Sequence, residues 1–275
     1  MEHRLLAYKN SKLSYYRFGS GPRHVVCFHG YGEEASLYSF LEKYAGGQFT
    51  FYSIDLPFHG RTKWNEGLNF SHTDLQQIVR DILTEATWQR KTGNEKLILL
   101  GFSLGGRIAL SLYQAQPENV DKIILLAPDG LKVNFWYWFS TQTWAGNKLF
   151  SFSMKYPGWF FTFLKAVNKL GLVNASVFKF VNYYIGNKEA RQLLYQRWTG
   201  LRKLKPNLQK VKNLIRKYKT QTHLVYGKYD RIILPVRGEK FQKGIEEFCI
   251  VTVIASGHQV LHENHVEGIV TALQH

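Results

Sequence analysis

Leu97-Ile98-Leu99-Leu100-Gly101-Phe102-Ser103-Leu104-Gly105-Gly106, followed by a helix-compatible stretch from Arg107 to Gln114, decides how this chain is read. The apolar run breaks into Gly101-Phe102-Ser103-Leu104-Gly105, a G-x-S-x-G pattern in the strand-turn-helix setting that a nucleophile elbow requires. Glycines flank the serine because a sharp turn presses neighbouring backbone together, where a Cβ would collide with strand or helix. Ser103 is thereby lifted out at a strand end, beside a helix N-terminus. A glycine-punctuated strand end with an incidental serine would carry the same five letters, so the rest of the chain has to decide.

A serine hydroxyl is a weak nucleophile at neutral pH and needs a base, itself oriented by an acid. Candidates for both lie further along. The short apolar run Thr222 to Tyr226 leads into Gly227-Lys228-Tyr229-Asp230, placing an acid in the loop at a strand end. The run Cys249 to Ile254 leads into Ala255-Ser256-Gly257-His258 and places an imidazole likewise.

Further landmarks are Phe28-His29-Gly30-Tyr31-Gly32 and Asp55-Leu56-Pro57-Phe58-His59-Gly60-Arg61-Thr62. With these, and with the order Ser103, Asp230, His258, the chain resembles the α/β-hydrolase superfamily in its cap-bearing form. The resemblance implies an α/β fold: a mostly parallel central sheet, helices on both faces and an inserted helical cap. It implies Ser103 as nucleophile, His258 as base and Asp230 as the acid that orients the imidazole. The oxyanion donors it implies are the backbone N–H groups of Tyr31 and Leu104, with His29, Gly30, Phe58 and Phe102 about the substrate pocket. Two features depart from the usual pattern. Phe58 stands where a small glycine is frequent, and Pro235 follows Asp230 by five residues where four is more usual. Asp129, directly after the run Ile123 to Ala127, occupies the position that some relatives use for their acid, and Asp230 is preferred to it.

The expected activity is hydrolysis of carboxylic esters through an acyl-enzyme, with acyl or lipid-like substrates favoured. Two alternatives keep the same three residues: a C–C bond hydrolase or lyase of an acidic substrate, and a slow or non-catalytic ligand-binding protein. A fold of this kind does not fix its substrate. Neither H-E-x-x-H nor C-x-x-C spacing occurs, so no metal and no cofactor are expected. His29 and His59 read as braces for their loops, and His262 and His265 as surface or packing residues.

The remaining pattern agrees with a doubly covered sheet. Short apolar runs at His24 to Phe28, Phe49 to Ile54, Leu97 to Gly101, Ile123 to Ala127, His223 to Tyr226 and Phe248 to Ile254 suit strands buried on both faces. Helical stretches are expected at Thr73 to Trp88, Arg107 to Ala115, Asn207 to Lys219, Val236 to Glu247 and Glu263 to Leu273, and Lys12 to Phe18 adds an antiparallel strand. A chain of 275 residues can bury one large core. The core is expected to comprise residues 1–130 and 206–275. The insertion, 131–205, is a helical cap punctuated by Gly146, Pro157-Gly158, Gly171, Gly186 and Gly200.

Charge is distributed very unevenly. Leu131 to Thr220 carries seventeen Lys and Arg against one acid, Glu189, so the whole net charge of +16 falls in this segment. The same segment holds 20 of the 42 aromatic residues, including Phe135-Trp136-Tyr137-Trp138-Phe139 and Trp159-Phe160-Phe161. Three readings compete. The cations steer an anionic or acyl-bearing small-molecule substrate to an apolar pocket. Alternatively the segment makes peripheral contact with anionic membrane. In the third, the aromatics are core and the lysines a solvated face. Arg202-Lys203-Leu204-Lys205 could touch phosphates, but no nucleic-acid motif accompanies it, so no nucleic acid is expected. No signal peptide is evident at Met1 to Asn10, and no stretch reaches the roughly 18 apolar residues of a membrane span. A cytoplasmic protein is expected, with membrane contact at most peripheral. Cys27 and Cys249 fall in core strands and read as small buried hydrophobes. Oligomeric state is not legible in side-chain types.

Overall fold

Consecutive apolar residues suit a strand only where both faces of its sheet are covered, and the central strands of this protein are of that kind. The computed structural model describes residues 1–85, 96–162 and 186–274. Its strands are β1 (Glu2–Tyr8), β2 (Ser11–Phe18), β3 (Arg23–Phe28), β4 (Phe49–Ile54), β5 (Leu97–Phe102), β6 (Val120–Leu126), β7 (Gln221–Gly227) and β8 (Cys249–Ile254). They form one sheet in the order β1-β2-β4-β3-β5-β6-β7-β8. β2 runs antiparallel to β1 and β4; all other neighbours are parallel. Every residue of β4 and β5 is buried.

The described helices are α1 (Leu41–Ala45), α2 (His72–Glu85), α3 (Leu104–Ala115), α4 (Phe135–Gln142), α5 (Trp144–Lys155), α6 (Lys188–Gly200), α7 (Leu208–Tyr218), α8 (Val236–Gln242) and α9 (Val266–Gln274). Successive strand residues point to opposite faces. Val25, Cys27, Ile98, Leu100, Ile124 and Leu126 accordingly share one face, in a core with Leu41 and Ala45 of α1 and Ile269 and Leu273 of α9. Val26, Leu99 and Leu125 turn to the other face, on the side where α3 packs against β5, and α2 and α7 pack on α3. Parallel strands of this kind leave all their C-terminal ends on one edge, which is where a site can be assembled from distant loops.

Several expectations need correction at the sheet edges. β1 is an addition to the expected strands: it begins with the polar Glu2-His3-Arg4, and only Leu6 and Tyr8 are buried in it. It pairs with β2 through a turn in which Lys9 adopts φ 52°. β8, expected to be covered on both faces, exposes Ile250 and Val253 because it is the opposite edge. The helix expected to reach Glu247 stops at Gln242, where Lys243 leaves helical geometry and Gly244 follows at φ 83°. Glu263–His265 is a 3-10 turn preceding α9. Residues 86–88 of the expected Thr73 to Trp88 helix, and Gly171, lie outside the described residues. Cys27 and Cys249 are buried free thiols, and burial pushes the Cys249 thiol up to about 12.

The chain divides into two compact units: Met1–Glu66, Ser71–Lys132 and Leu204–His275 in the first, Gly67–Phe70 and Val133–Lys203 in the second. The second unit is helical in its described residues. Asn134, Thr143 and Asn187 cap α4, α5 and α6 with side-chain oxygens, supplying acceptors to orphan N–H groups. Phe150 is buried in it with Leu194 and Leu201, its ring centroid 5.3 Å from that of Tyr195 and 5.6 Å from that of Trp198. Gly67–Phe70, which falls within the 1–130 core of the sequence reading, belongs to the second unit. Phe70 N–H donates to the Gly200 carbonyl at 3.1 Å.

One buried carboxylate ties β1 to α2. Ser71 and Asp74 form a capping box, with the Ser71 N–H donating to Asp74 Oδ2 at 3.0 Å and the Asp74 N–H to Ser71 Oγ at 3.2 Å. Tyr8 Oη and Lys9 Nζ each donate to Asp74 Oδ1 at 2.6 Å. Burial alone would raise the Asp74 carboxyl, but the bonds from Lys9, Ser71 and Tyr8 outweigh it and hold the group well below its ordinary 3.8. A depressed native value stabilises the fold above the unfolded value, and that stabilisation is lost as the pH falls from about 4 downward. Urea unfolding at a series of pH values should show this acid arm, and Asp74→Asn should flatten it.

Candidate active site

The turn between β5 and α3 is as tight as its glycines suggest. Ser103 sits at φ 49° and ψ −113°, a left-handed conformation that costs a non-glycine residue on the order of 1–3 kcal/mol. It persists because the surroundings fix it: the Ser103 N–H donates to the Leu126 carbonyl at 2.9 Å, and its own carbonyl accepts from Gly106 and Asp129 at 3.0 and 2.8 Å. A Cβ on Gly105 would stand 1.7 Å from the Phe28 carbonyl oxygen of β3, so only glycine lets α3 leave so close to the sheet. The Ser103 hydroxyl is half-buried at the start of α3.

The two later loops meet it. Asp230, 3% exposed, follows β7. Its Oδ1 accepts from the Ile232 and Ile233 N–H groups at 2.7 and 2.9 Å, while Oδ2 lies 2.8 Å from His258 Nδ1. His258 Nε2 lies 3.0 Å from Ser103 Oγ. An ionised carboxylate can only accept, so Nδ1 carries the ring hydrogen and Nε2 is left to accept from the serine hydroxyl. The acid and imidazole loops are fastened to each other by backbone bonds, Lys228 N–H to Ile254 O at 2.8 Å and Tyr229 N–H to Ser256 O at 2.9 Å. Gly227 permits this, since a Cβ there would stand 1.9 Å from the Gly257 carbonyl oxygen.

Asp129 faces elsewhere. Its Oδ1 accepts from the Gly130 N–H and its Oδ2 lies 3.6 Å from Arg107 Nε. Pro235 begins the turn into α8.

The His29–Gly32 loop lies beside the elbow. A Cβ on Gly30 would be 3.1 Å from the Phe102 ring, which places Tyr31 one residue from that contact. Leu104 is the first residue of α3, where backbone N–H groups lack intrahelical partners. His29, which the resemblance places about the pocket and which also reads as a loop brace, is fully buried and braces the backbone. Its Nε2 accepts from the Leu56 N–H at 3.1 Å and its Nδ1 donates to the Gly30 carbonyl at 2.8 Å. Phe102 is also buried, its ring centroid 5.5 Å from that of His258, so it backs the imidazole. Phe58 is half-buried at φ 65°, a conformation that glycine adopts without strain. His59 Nδ1 lies 2.9 Å from the Pro57 carbonyl and His262 caps the 3-10 turn through Asn264 N–H, both local braces. Among the described residues no group of three or more His, Cys, Asp or Glu is placed to hold a metal ion.

Glu33 was missed by the sequence reading. Its Oε2 accepts from the Gly30 N–H at 3.0 Å and its Oε1 from Gln259 Nε2 at 3.3 Å, so it joins the Gly30 turn to the residue after His258. Burial raises its carboxyl, opposed by these two bonds and by the nearby His258. The available signal was a carboxylate three residues after Gly30, within reach of that backbone N–H.

These features define a class. The chain belongs to the α/β-hydrolase fold family, whose profile matches residues 23–264. A pimeloyl-[acyl-carrier protein] methyl ester esterase of Citrobacter koseri is 29% identical over 109 residues, 40% of this chain and 38% of that protein. The corresponding esterase of Salmonella heidelberg is 28% identical over 110 residues, again covering 40% of this chain and 38% of that protein. The match thus spans about two-fifths of the length of these relatives. Among solved structures, a carboxylesterase of Nitrososphaera gargenis superposes with TM-score 0.66 at 16% identity, covering 98% of this chain and 96% of that one. A thermophilic esterase of Thermogutta terrifontis gives TM-score 0.66 at 16% identity, covering 100% and 97%. At such identities the superpositions show the fold.

Proposed function

We propose that the protein hydrolyses carboxylic esters through an acyl-enzyme formed on Ser103, with acyl or lipid-like substrates favoured. The observation that carries this reading is the continuous relay from Asp230 through His258 to the Ser103 hydroxyl, with contacts of 2.8 and 3.0 Å. His258 Nε2 takes the serine proton as Oγ attacks the carbonyl carbon, and Asp230 stabilises the imidazolium that forms. The backbone N–H groups of Tyr31 and Leu104 receive the developing oxyanion. His258 returns the proton to the departing alkoxide, and a water then attacks the acyl-enzyme with the same imidazole as base.

Two further observations support the ester class. Two relatives, each matched over two-fifths of this chain, act by name on a methyl ester of a carrier-bound acyl chain. The segment 131–220 is also rich in aromatic residues suited to apolar chains. The test is a panel of p-nitrophenyl esters of increasing acyl length. A burst followed by steady turnover, with a rate that depends on chain length, is the expected result. Thermal stabilisation by a ligand without turnover of any ester would instead make this a binding protein.

A further inference from the structure

The second unit contains a cavity of about 350 Å³, open to solvent, where the α4–α5 junction meets the segment after α6. Its walls include Gln142, Thr143, Trp144, Lys148, Arg202 and Lys203. Among the described residues no carboxylate lies within ion-pair distance of these three cations. The only acid between Leu131 and Thr220 is Glu189, at the start of α6. The cavity wall is fixed, because Gln142 Nε2 donates to the Arg202 carbonyl at 3.0 Å and the Arg202 guanidinium to the Thr141 carbonyl at 3.4 Å. Three cations at one open cavity with no internal counter-charge make a site for an anionic oxygen group, such as a phosphate ester.

A small soluble anion would account for the cations but not for their neighbours. Trp144, at the cavity lip, is 79% exposed, and Trp136 on α4 is 68% exposed. Phe135, Phe152 and Tyr156, on or directly after these two helices, are exposed as well. Exposed indole and phenyl rings are costly against water and favourable at the headgroup level of a bilayer, where an aromatic ring enters the acyl boundary and cations meet anionic headgroups. No described helix is long and apolar enough to cross a membrane.

We propose that the second unit docks onto an anionic phospholipid surface, with a headgroup phosphate held by Lys148, Arg202 and Lys203 and the indole of Trp144 inserted beside it. The docking stands independently of the role of Ser103. Its test is flotation of the full chain with phosphatidylcholine vesicles with and without phosphatidylglycerol, at low and high salt. Binding is expected only with phosphatidylglycerol and should weaken as salt rises, since each surface cation contributes roughly fivefold. Lys148→Gln with Lys203→Gln should lower affinity on the order of twentyfold, from two such contributions. Trp144→Ala should lower it roughly tenfold. All three side chains are exposed, so unchanged circular dichroism should accompany the loss. Absence of binding at low salt, equal binding to pure phosphatidylcholine, or binding undiminished by the substitutions would overturn the proposal. Thermal stabilisation by inorganic phosphate without vesicle binding would overturn it too, and would give the cavity to a free anion.

Discussion

Ser103→Ala is expected to lower turnover of a good p-nitrophenyl ester by roughly 10⁴- to 10⁶-fold, the range seen when a triad nucleophile is removed. The loss falls on kcat, because the hydroxyl is the bond-forming group and leaves the walls of the site unchanged. Stability should barely move. Alanine meets the same left-handed strain at φ 49° as serine does, and the backbone bonds that impose it, to Leu126, Gly106 and Asp129, do not use the hydroxyl. Equal urea midpoints with lost turnover would therefore separate chemistry from folding. Turnover retained by this variant would remove the elbow from the mechanism, whatever its geometry.

The second large effect is a contrast between two aspartates. Asp230→Asn should reduce kcat/KM by about 10⁴-fold, whereas Asp129→Asn should change it only a few-fold. At 230, an asparagine oxygen can still accept the Ile232 and Ile233 N–H groups, which keeps the loop in place. Its NH2 then faces His258 Nδ1, forcing that nitrogen to accept and moving the ring hydrogen to Nε2, where it opposes the serine hydroxyl. Asp129, engaged with Gly130 and Arg107, has no such hold on the imidazole. A similar loss in both variants would mean that the 129 carboxylate acts on the reaction through some other route. An unaffected Asp230→Asn enzyme would sink the relay.

The central strands were legible because a strand buried on both faces is mostly apolar: β5 is so throughout, and β4 keeps Thr50 and Ser53 by donating their hydroxyls to the Gly21 and Ala35 carbonyls. The edges were not. β1 buries only Leu6 and Tyr8, and β8 exposes residues that its sequence alone would place in a core, because an edge strand is defined by what is missing beside it. Ser103, Asp230 and His258 were legible because each stands at a strand end next to glycines that the turns require. Glu33 was not, since one of its two partners, Gln259, lies 226 residues further along the chain. The partners of the His29 ring were not legible, because a His-Gly pair states that a loop is tight without stating which way the ring turns.

By itself the sequence determined which local geometries are possible: where strands are covered, where backbones approach too closely for a Cβ, and which side chains have the chemistry to attack, relay or orient. These depend on steric and solvation preferences that act over a few residues. Only the tertiary structure decided which of two aspartates meets the imidazole, that His29 props the Leu56 backbone, and that Lys148, Arg202 and Lys203 surround one cavity. Such pairings depend on distances between segments far apart in the chain, and those distances are set by the packing of the strands and helices that carry them.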